Sequence, residues 1–373
     1  MNSKLKEVAL VFFKLGCFAF GGPAAHIAMM EEEIIEKRKW MTRDYFLDLI
    51  GATNLIPGPN STEMTMHCGY ERAGKSGLFV AGLAFIFPAT IITALLAYLY
   101  MEYGELPEVE PFIYGIKPAV LAIIASAILK LSKKAIKSIE LALLGVMVLT
   151  ASLLGVNEIV ALLSAGVFGM FYFYLKSKSQ STLNAFTPLL WVFGIKATAA
   201  LTTLKLFLIF LKVGSILYGS GYVLFAYLDA ELVTRGLLTR AELIDAIAIG
   251  QFTPGPVLST STFIGYQLSG FSGALVATTG IFLPSFLFVL ILNPFIVKMK
   301  QSKMLRYFLD AVNVAAVAVM LAVLFIMVKE TLIEWQSILI ALIAVVLTFK
   351  TKVSTIWTIV IGAVIGYLVI TLF

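Results

Sequence analysis

Apolar positions along this chain fall in long runs, broken at intervals by short polar stretches. Runs of roughly 17 to 25 residues are long enough to cross a bilayer as a helix. On that measure the first half predicts segments over 7–28, 45–68, 77–101, 112–131, 139–154 and 156–175, and the second over 204–228, 242–265, 272–297, 308–328, 334–349 and 353–373. Those over 139–154 and 334–349 are short for a span. Between the halves lies the polar stretch "KSKSQSTLNAFTP", Lys176 to Pro188. The expected organisation is a repeat over 1–175, a linker over 176–201 and a second repeat over 202–373.

The two halves also match in residues. "FFKLG" at Phe12 to Gly16 returns as "FLKVG" at Phe210 to Gly214, and "FGG" at Phe20 to Gly22 returns as "YGSG" at Tyr218 to Gly221. Glu31 and Glu33 correspond to Asp229 and Glu231, Thr42-Arg43 to Thr239-Arg240, Pro57-Gly58-Pro59 to Pro254-Gly255-Pro256, and Pro88 to Pro284. The order is kept with one-residue slips, which marks an internal duplication. Lysine and arginine gather in cytoplasmic loops. In the first half the loop near 102–111 is acidic and the next carries Lys130, Lys133, Lys134 and Lys137; in the second half the basic loop comes first, with Lys298, Lys300, Lys303 and Arg306. The halves are therefore expected to be inverted. Inversion needs an odd number of crossings before the second half, and six spans give an even one. Either a glycine-rich N-terminal segment re-enters without crossing, or "LLWVFGIKATAAL" near 189–201 is an extra span.

Composition sharpens the class. Hydrophobic residues make up 60% of the 373, charged ones only 13%, and mean hydropathy is +0.95. Soluble chains carry about 25% charged residues, so an all-α, polytopic membrane protein is predicted. Its net charge of +6 sits at the ends of apolar runs and reads as topology, not as a nucleic-acid surface. The N-terminal segment does not read as a cleavable signal peptide. Cys17 and Cys68 form neither a disulfide framework nor a metal-ligand spacing and are expected to be packing residues. Walker, dinucleotide, zinc-protease and serine-hydrolase signatures are absent from the sequence, so neither enzyme chemistry nor a cofactor is expected. "GAVIG" at Gly362 to Gly366 fits a close helix contact, within the chain or in a homodimer.

Inverted repeats place transporter sites near the bilayer midplane, at broken helices. Pro57-Gly58-Pro59 and Pro254-Gly255-Pro256 are such breaks, since proline inside a helix costs about 3 kcal/mol or more. A helix restarting at midplane presents free N–H groups and a positive dipole end to an anion. After the breaks stand Asn60, Ser61 and Thr62, and Ser259, Thr260, Ser261 and Thr262; these side chains either cap the helices or donate to an oxyanion. The candidate cations are the matched pairs Lys14/Lys212 and Arg43/Arg240, the alternatives being snorkelling and interface anchoring. Glu63 and His67, one turn apart, are the candidate proton carriers, or else a satisfied polar pair.

These motifs carry a resemblance. "FFKLGCFAFGGP", "KWMTRDYF", "PGPNSTEMTMHCGY" and "AGKSG", followed by "FLKVGSILYGSGYVL", "LLTRAELIDAIAIGQFTPGPVLSTSTFIGY" and "GFSGALVATTGIFLPSF", resemble the two halves of two-domain members of the chromate ion transporter family. The resemblance implies a multi-pass protein of the plasma (inner) membrane that exports chromate, driven by membrane potential or a proton gradient. It also implies a link to sulfate, a tetrahedral dianion of similar size. The family's glycines and prolines map onto Gly21, Gly22, Pro57, Gly58, Pro59, Pro254, Gly255 and Pro256. An anion channel, or a carrier of sulfate or an organic acid, is the alternative reading.

Overall fold

The computed structural model describes residues 3–20, 22–177, 202–218, 221–293, 302–351 and 353–372, and those outside helices are turns and short connections, with no strand among them. In the first half, α1 (Ser3–Phe18), α2 (Pro23–Glu31, continuing as a π-helical turn Glu32–Lys37) and α3 (Arg43–Thr53) precede α4 (Asn60–Tyr103), α5 (Glu110–Ala135), α6 (Ile139–Leu153) and α7 (Glu158–Ser177). The second half repeats the order as α8 (Thr203–Ile216), α9 (Leu224–Leu228, continuing as Asp229–Val233), α10 (Arg240–Phe252), α11 (Thr260–Leu292), α12 (Lys303–Thr331), α13 (Trp335–Lys350) and α14 (Thr355–Leu372). Side-chain caps fix several starts: Ser138 accepts from the Leu141 N–H, Thr202 from Lys205, Ser302 from Leu305, and Thr239 with Glu242 forms a reciprocal capping box.

The first two segments of each half fold back as hairpins. Helix α1 runs inward and stops, and α2 returns beside it, so that Lys14 meets Glu33 and Trp40 donates to Glu7. Helix α3 runs inward, breaks at Pro57 to Pro59, and residues 60–72 return, bringing the Tyr45 hydroxyl to Glu71 and Arg72 to Glu7. Helix α4 is thus two antiparallel arms, not one rod. Ala73 and Gly74 leave helical geometry, Gly74 at φ 65°, and a Cβ on Gly69 would collide with the carbonyl of Gly77. In α11, Ser269 and Gly270 make the same reversal, and Thr262 and Thr278 share a 2.7 Å hydrogen bond across it. The arm over 75–103 crosses, with Leu83, Phe87, Ile91 and Leu95 exposed at four-residue spacing as a lipid-facing stripe.

Contacts between the halves show the inversion. The end of α5 lies with the start of α12 through Lys137 and Asp310 at 2.6 Å, and the start of α5 lies with the end of α12 through Tyr114 and Glu334 at 2.7 Å. One face carries Lys130, Lys134, Lys137, Lys176 and Arg306; the other carries Glu105, Glu110, Glu330 and Glu334. With two hairpins re-entering, each half contributes an even set of crossings, the long arm and three further helices. Re-entry alone therefore does not resolve the parity. Lys176 pairs with Glu140 on the lysine-rich face, whereas α8 starts from the opposite face. The extra span expected near 189–201 lies outside the described residues. Gly362 and Gly366 pack against Gly115 of α5, so the "GAVIG" pattern serves a contact within the chain.

Single cysteines, introduced after replacing Cys17 and Cys68, test the re-entry. Thr42→Cys, Lys75→Cys and Lys134→Cys should react with an impermeant maleimide from one side of the membrane. Glu105→Cys, Arg235→Cys and Ser272→Cys should react from the other. Labelling of residues 42 and 75 from opposite sides would show that segment 45–68 spans.

Candidate functional site

Four unwound tips meet at the centre of the molecule. Those of the first half are the turn after α1 and the Pro57-Gly58-Pro59 break; those of the second are the turn after α8 and Pro254-Gly255-Pro256. They are tied reciprocally across the halves: the Gly58 N–H donates to the Leu217 carbonyl at 2.6 Å, and the Gly255 N–H to the Ala19 carbonyl at 2.9 Å. His26 Nε2 donates to the same Ala19 oxygen at 3.1 Å, and the Tyr227 hydroxyl to the Ile216 carbonyl at 3.0 Å. Broken backbone is tolerated at membrane depth only when protein or water satisfies it. Here each half satisfies the other.

Both central glycines are demanded by this arrangement. Gly58 has φ 141° and Gly255 φ 87°. A Cβ on Gly58 would fall against Glu63 Oε1 and Ser285 Oγ, and one on Gly255 would lie 2.9 Å from the Ala89 Cβ. Gly22, at φ 82°, ends the turn before Pro23. Gly21 lies outside the described residues.

The hydroxyl clusters arrive at the tips in different states. Ser61, Thr62, Ser259 and Thr260 are buried, at 2%, 0%, 0% and 0% exposure. Thr260 and Ser261 donate back to the carbonyls of Val257 and Leu258, while Thr62 Oγ1 and Ser259 Oγ have no partner. No side chain caps α4 or α11. The Thr62 and Glu63 N–H groups donate to the Pro59 carbonyl, which leaves the first-turn amides of Asn60 and Ser61 without an intrahelical acceptor. Asn60 donates to Asn54 Oδ1 at 2.6 Å.

The matched cations do not converge on these tips. Lys14 and Lys212 instead hold the hairpins closed, on Glu33 at 3.2 Å and Glu231 at 2.6 Å. Burial pushes the Glu33 carboxyl up, but hydrogen bonds from Lys37, Lys14 and Arg38 outweigh it and hold the group at about 2. Arg43 pairs with Glu31 at 2.7 Å with its side chain 70% exposed, and Arg240 bridges Asp229 and Glu330. Glu63 and His67 are fully buried in the arm over 60–72. His67 Nδ1 lies 2.9 Å from Asn293 Oδ1, whereas neither Glu63 oxygen has a partner.

Positive charge approaches the first break by another route. A cavity of about 760 Å³ opens between the halves, lined by Lys130, Lys134, Lys137 and Arg306 together with Asn54, Asn60 and Asn313. Its cations belong to the lysine-rich face, and Asn54 and Asn60 flank the first break. On the opposite side the halves are latched: Tyr100 donates to Asp245 Oδ2 at 2.7 Å, and Lys117 lies 3.3 Å from the same oxygen. A second, smaller cavity of about 460 Å³, lined by Lys117, Arg240, Glu330 and Glu334, lies on that side.

The family model described as "Chromate transporter" matches residues 6–170 and again 204–367. The chain belongs to the chromate transporter family. It is 31% identical over 360 residues to the chromate transport protein of Cupriavidus metallidurans, covering 93% of this chain and 88% of that protein. It is 30% identical over 355 residues to the probable chromate transport protein of Synechococcus elongatus, covering 93% and 90%, and 26% identical over 379 residues to the chromate transport protein of Pseudomonas aeruginosa, covering 96% and 91%. No solved structure matches the chain. The duplicated family match falls on the two structural repeats, so this transporter is a multi-pass membrane protein with a tip-lined centre.

Several groups of the site escape a search for matched repeats. Asn313 and Lys117 each stand inside apolar runs, a signal in its own right, but neither has an equivalent of the same chemistry in the other half, whereas Asp245 does match Asp48 in the repeat that begins Thr42-Arg43 and Thr239-Arg240. Gly58→Ala and Gly255→Ala should each lower the melting temperature in detergent, by an amount equivalent to about 1–3 kcal/mol. Gly155→Ala is the comparison, because Gly155 also has positive φ but nothing within 4 Å. Equal losses at all three positions would show that the tips are not tightly packed.

Proposed function

We propose that the protein is a secondary carrier exporting a small tetrahedral oxyanion, chromate, across the plasma membrane, driven by membrane potential or a proton gradient. The observation that carries the reading is the lysine- and arginine-lined cavity that reaches Asn54 and Asn60 on either side of the first helix break. An isolated ion costs tens of kcal/mol to bury and one helix end returns about 0.3–2 kcal/mol, so a dianion needs the cations as well as the amides. By the positive-inside rule the lysine-rich face is cytoplasmic, so the cavity opens to the compartment from which an exporter loads. The chromate transport proteins among the relatives supply the substrate class. Sulfate, as a dianion of the same shape, is expected to compete.

In this reading Lys130, Lys134 and Arg306 attract the anion, and Asn60, Ser61, Thr62, Ser259 and Thr260 contact it at the tips. Lys14, Lys212, Arg43 and Arg240 brace the hairpins. The repeats over 1–175 and 202–373 rock against each other, and the Asp245 latch to Tyr100 and Lys117 releases when the outer side opens. That latch favours a carrier over a channel.

Inside-out vesicles provide the test. Lys130→Gln/Lys134→Gln/Arg306→Gln should slow chromate accumulation about tenfold at low salt, chiefly through KM, and Ser61→Ala/Thr62→Ala/Ser259→Ala/Thr260→Ala should abolish it with the protein still monodisperse. Wild-type rates in both variants would overturn the assignment of the cavity and tips.

A further inference from the structure

The Glu63 carboxyl is the buried ionisable group that the substrate path leaves unexplained. It is fully buried in the first turn of α4, with neither oxygen hydrogen-bonded. Ser285 Oγ, from α11 of the other half, is likewise buried and unpartnered. Both atoms lie where a Gly58 side chain would stand, so carboxyl and hydroxyl share one small space behind the break. Charge balance there must come from something bound.

We infer that Glu63, with Ser285 as its hydroxyl neighbour, is the binding site for the coupling ion, and that this ion is a proton. The inference deepens the carrier reading and rests on it. A sodium ion needs a shell of several oxygens, whereas the groups shown here are one carboxyl and one hydroxyl, and the Leu217 carbonyl nearby already accepts from Gly58. A proton needs only the carboxyl and one acceptor. It enters from water as the carboxylate becomes the acid, and leaves to water as the carboxylate reforms.

Surrounding groups do not supply a competing charge. Tyr218, on the opposing tip, is an electrostatic neighbour, and His67 lies one turn along the same arm. Helix α11 carries no Asp, Glu, Lys, Arg or His. On the other packed helices, Glu7 and Lys14 of α1 are paired with Arg72 and Glu33, His26 of α2 with Ala19, and Arg43 of α3 with Glu31. Asp48 of α3 is exposed, and Asp245 of α10 is held by Tyr100 and Lys117. The second half does not repeat the device. At its break Gly255 faces Ala89 where Gly58 faces Ser285, and Ser259 takes the place of Glu63. One proton per chain is therefore the expected load.

Infrared difference spectroscopy on the purified full-length protein reads the acid directly. The wild-type spectrum should contain a protonated-carboxyl band that disappears at alkaline pH, is missing from Glu63→Gln, moves to higher frequency in Ser285→Ala, and does not respond to sodium. In proteoliposomes, Glu63→Gln should keep sulfate or chromate exchange at equal concentrations but lose accumulation driven by a pH gradient. A band unchanged in Glu63→Gln, a band removed by sodium, or pH-driven accumulation at the wild-type level in Glu63→Gln would each overturn the assignment. If the wild type moves no oxyanion, the carrier reading fails, while the infrared band still reports on Glu63.

Discussion

Unpaired backbone N–H and C=O groups at membrane depth have no water to turn to, and that constraint organises the centre of this protein. The chain breaks a helix four times near the midplane, and at two of these breaks the freed amide, of Gly58 or Gly255, donates to the unwound carbonyl of the other half, Leu217 or Ala19. Neither half completes its tips alone. The duplication is therefore a mutual requirement: two inverted copies face each other because each supplies the acceptor that the other lacks. Glycine at both positions follows, since the amide must approach with positive φ and with no side chain between the tips.

Electrostatics then departs from the symmetry of the backbone. Lys14 with Glu33 and Lys212 with Glu231 are equivalent pairs, and they hold equivalent hairpins. The cavity, by contrast, lies on one side of the tips, with Lys130, Lys134 and Arg306 at its walls, and the latch of Asp245 with Tyr100 and Lys117 lies on the other. Glu63 is present in one copy only. A symmetric frame with asymmetric charge fits the proposed carrier, which must favour one opening for loading and still have a second, related shape to reach.

The repeat, the inversion and the breaks were legible in the sequence because each leaves a local mark: "FFKLG" against "FLKVG", a lysine loop against a glutamate loop, and proline-glycine-proline in both halves. Re-entry was harder to see. Segments 7–28 and 45–68 have the length and hydropathy of spans, and only the return contacts of Lys14 with Glu33 and Tyr45 with Glu71 show that they turn back. The same contacts explain the cations. Lys14, Lys212, Arg43 and Arg240 recur in both halves because both halves need braced hairpins, so recurrence pointed to a shared structural duty. The groups that line the cavity, among them Asn313, Lys130 and Arg306, are brought together by packing of α5 against α12, which no spacing along the chain encodes.

Whether the opposed breaks hold the oxyanion is decided by an experimental density map of the protein in lipid nanodiscs with chromate. Tetrahedral density is expected between the breaks, within hydrogen-bond reach of the Asn60 and Ser61 amides and the hydroxyls of Thr62 and Ser259, with the Gly58 and Gly255 bonds intact. Chromate density confined to the lysines at the cavity mouth, or a map in which the tips of the two halves stand apart, would contradict this placement.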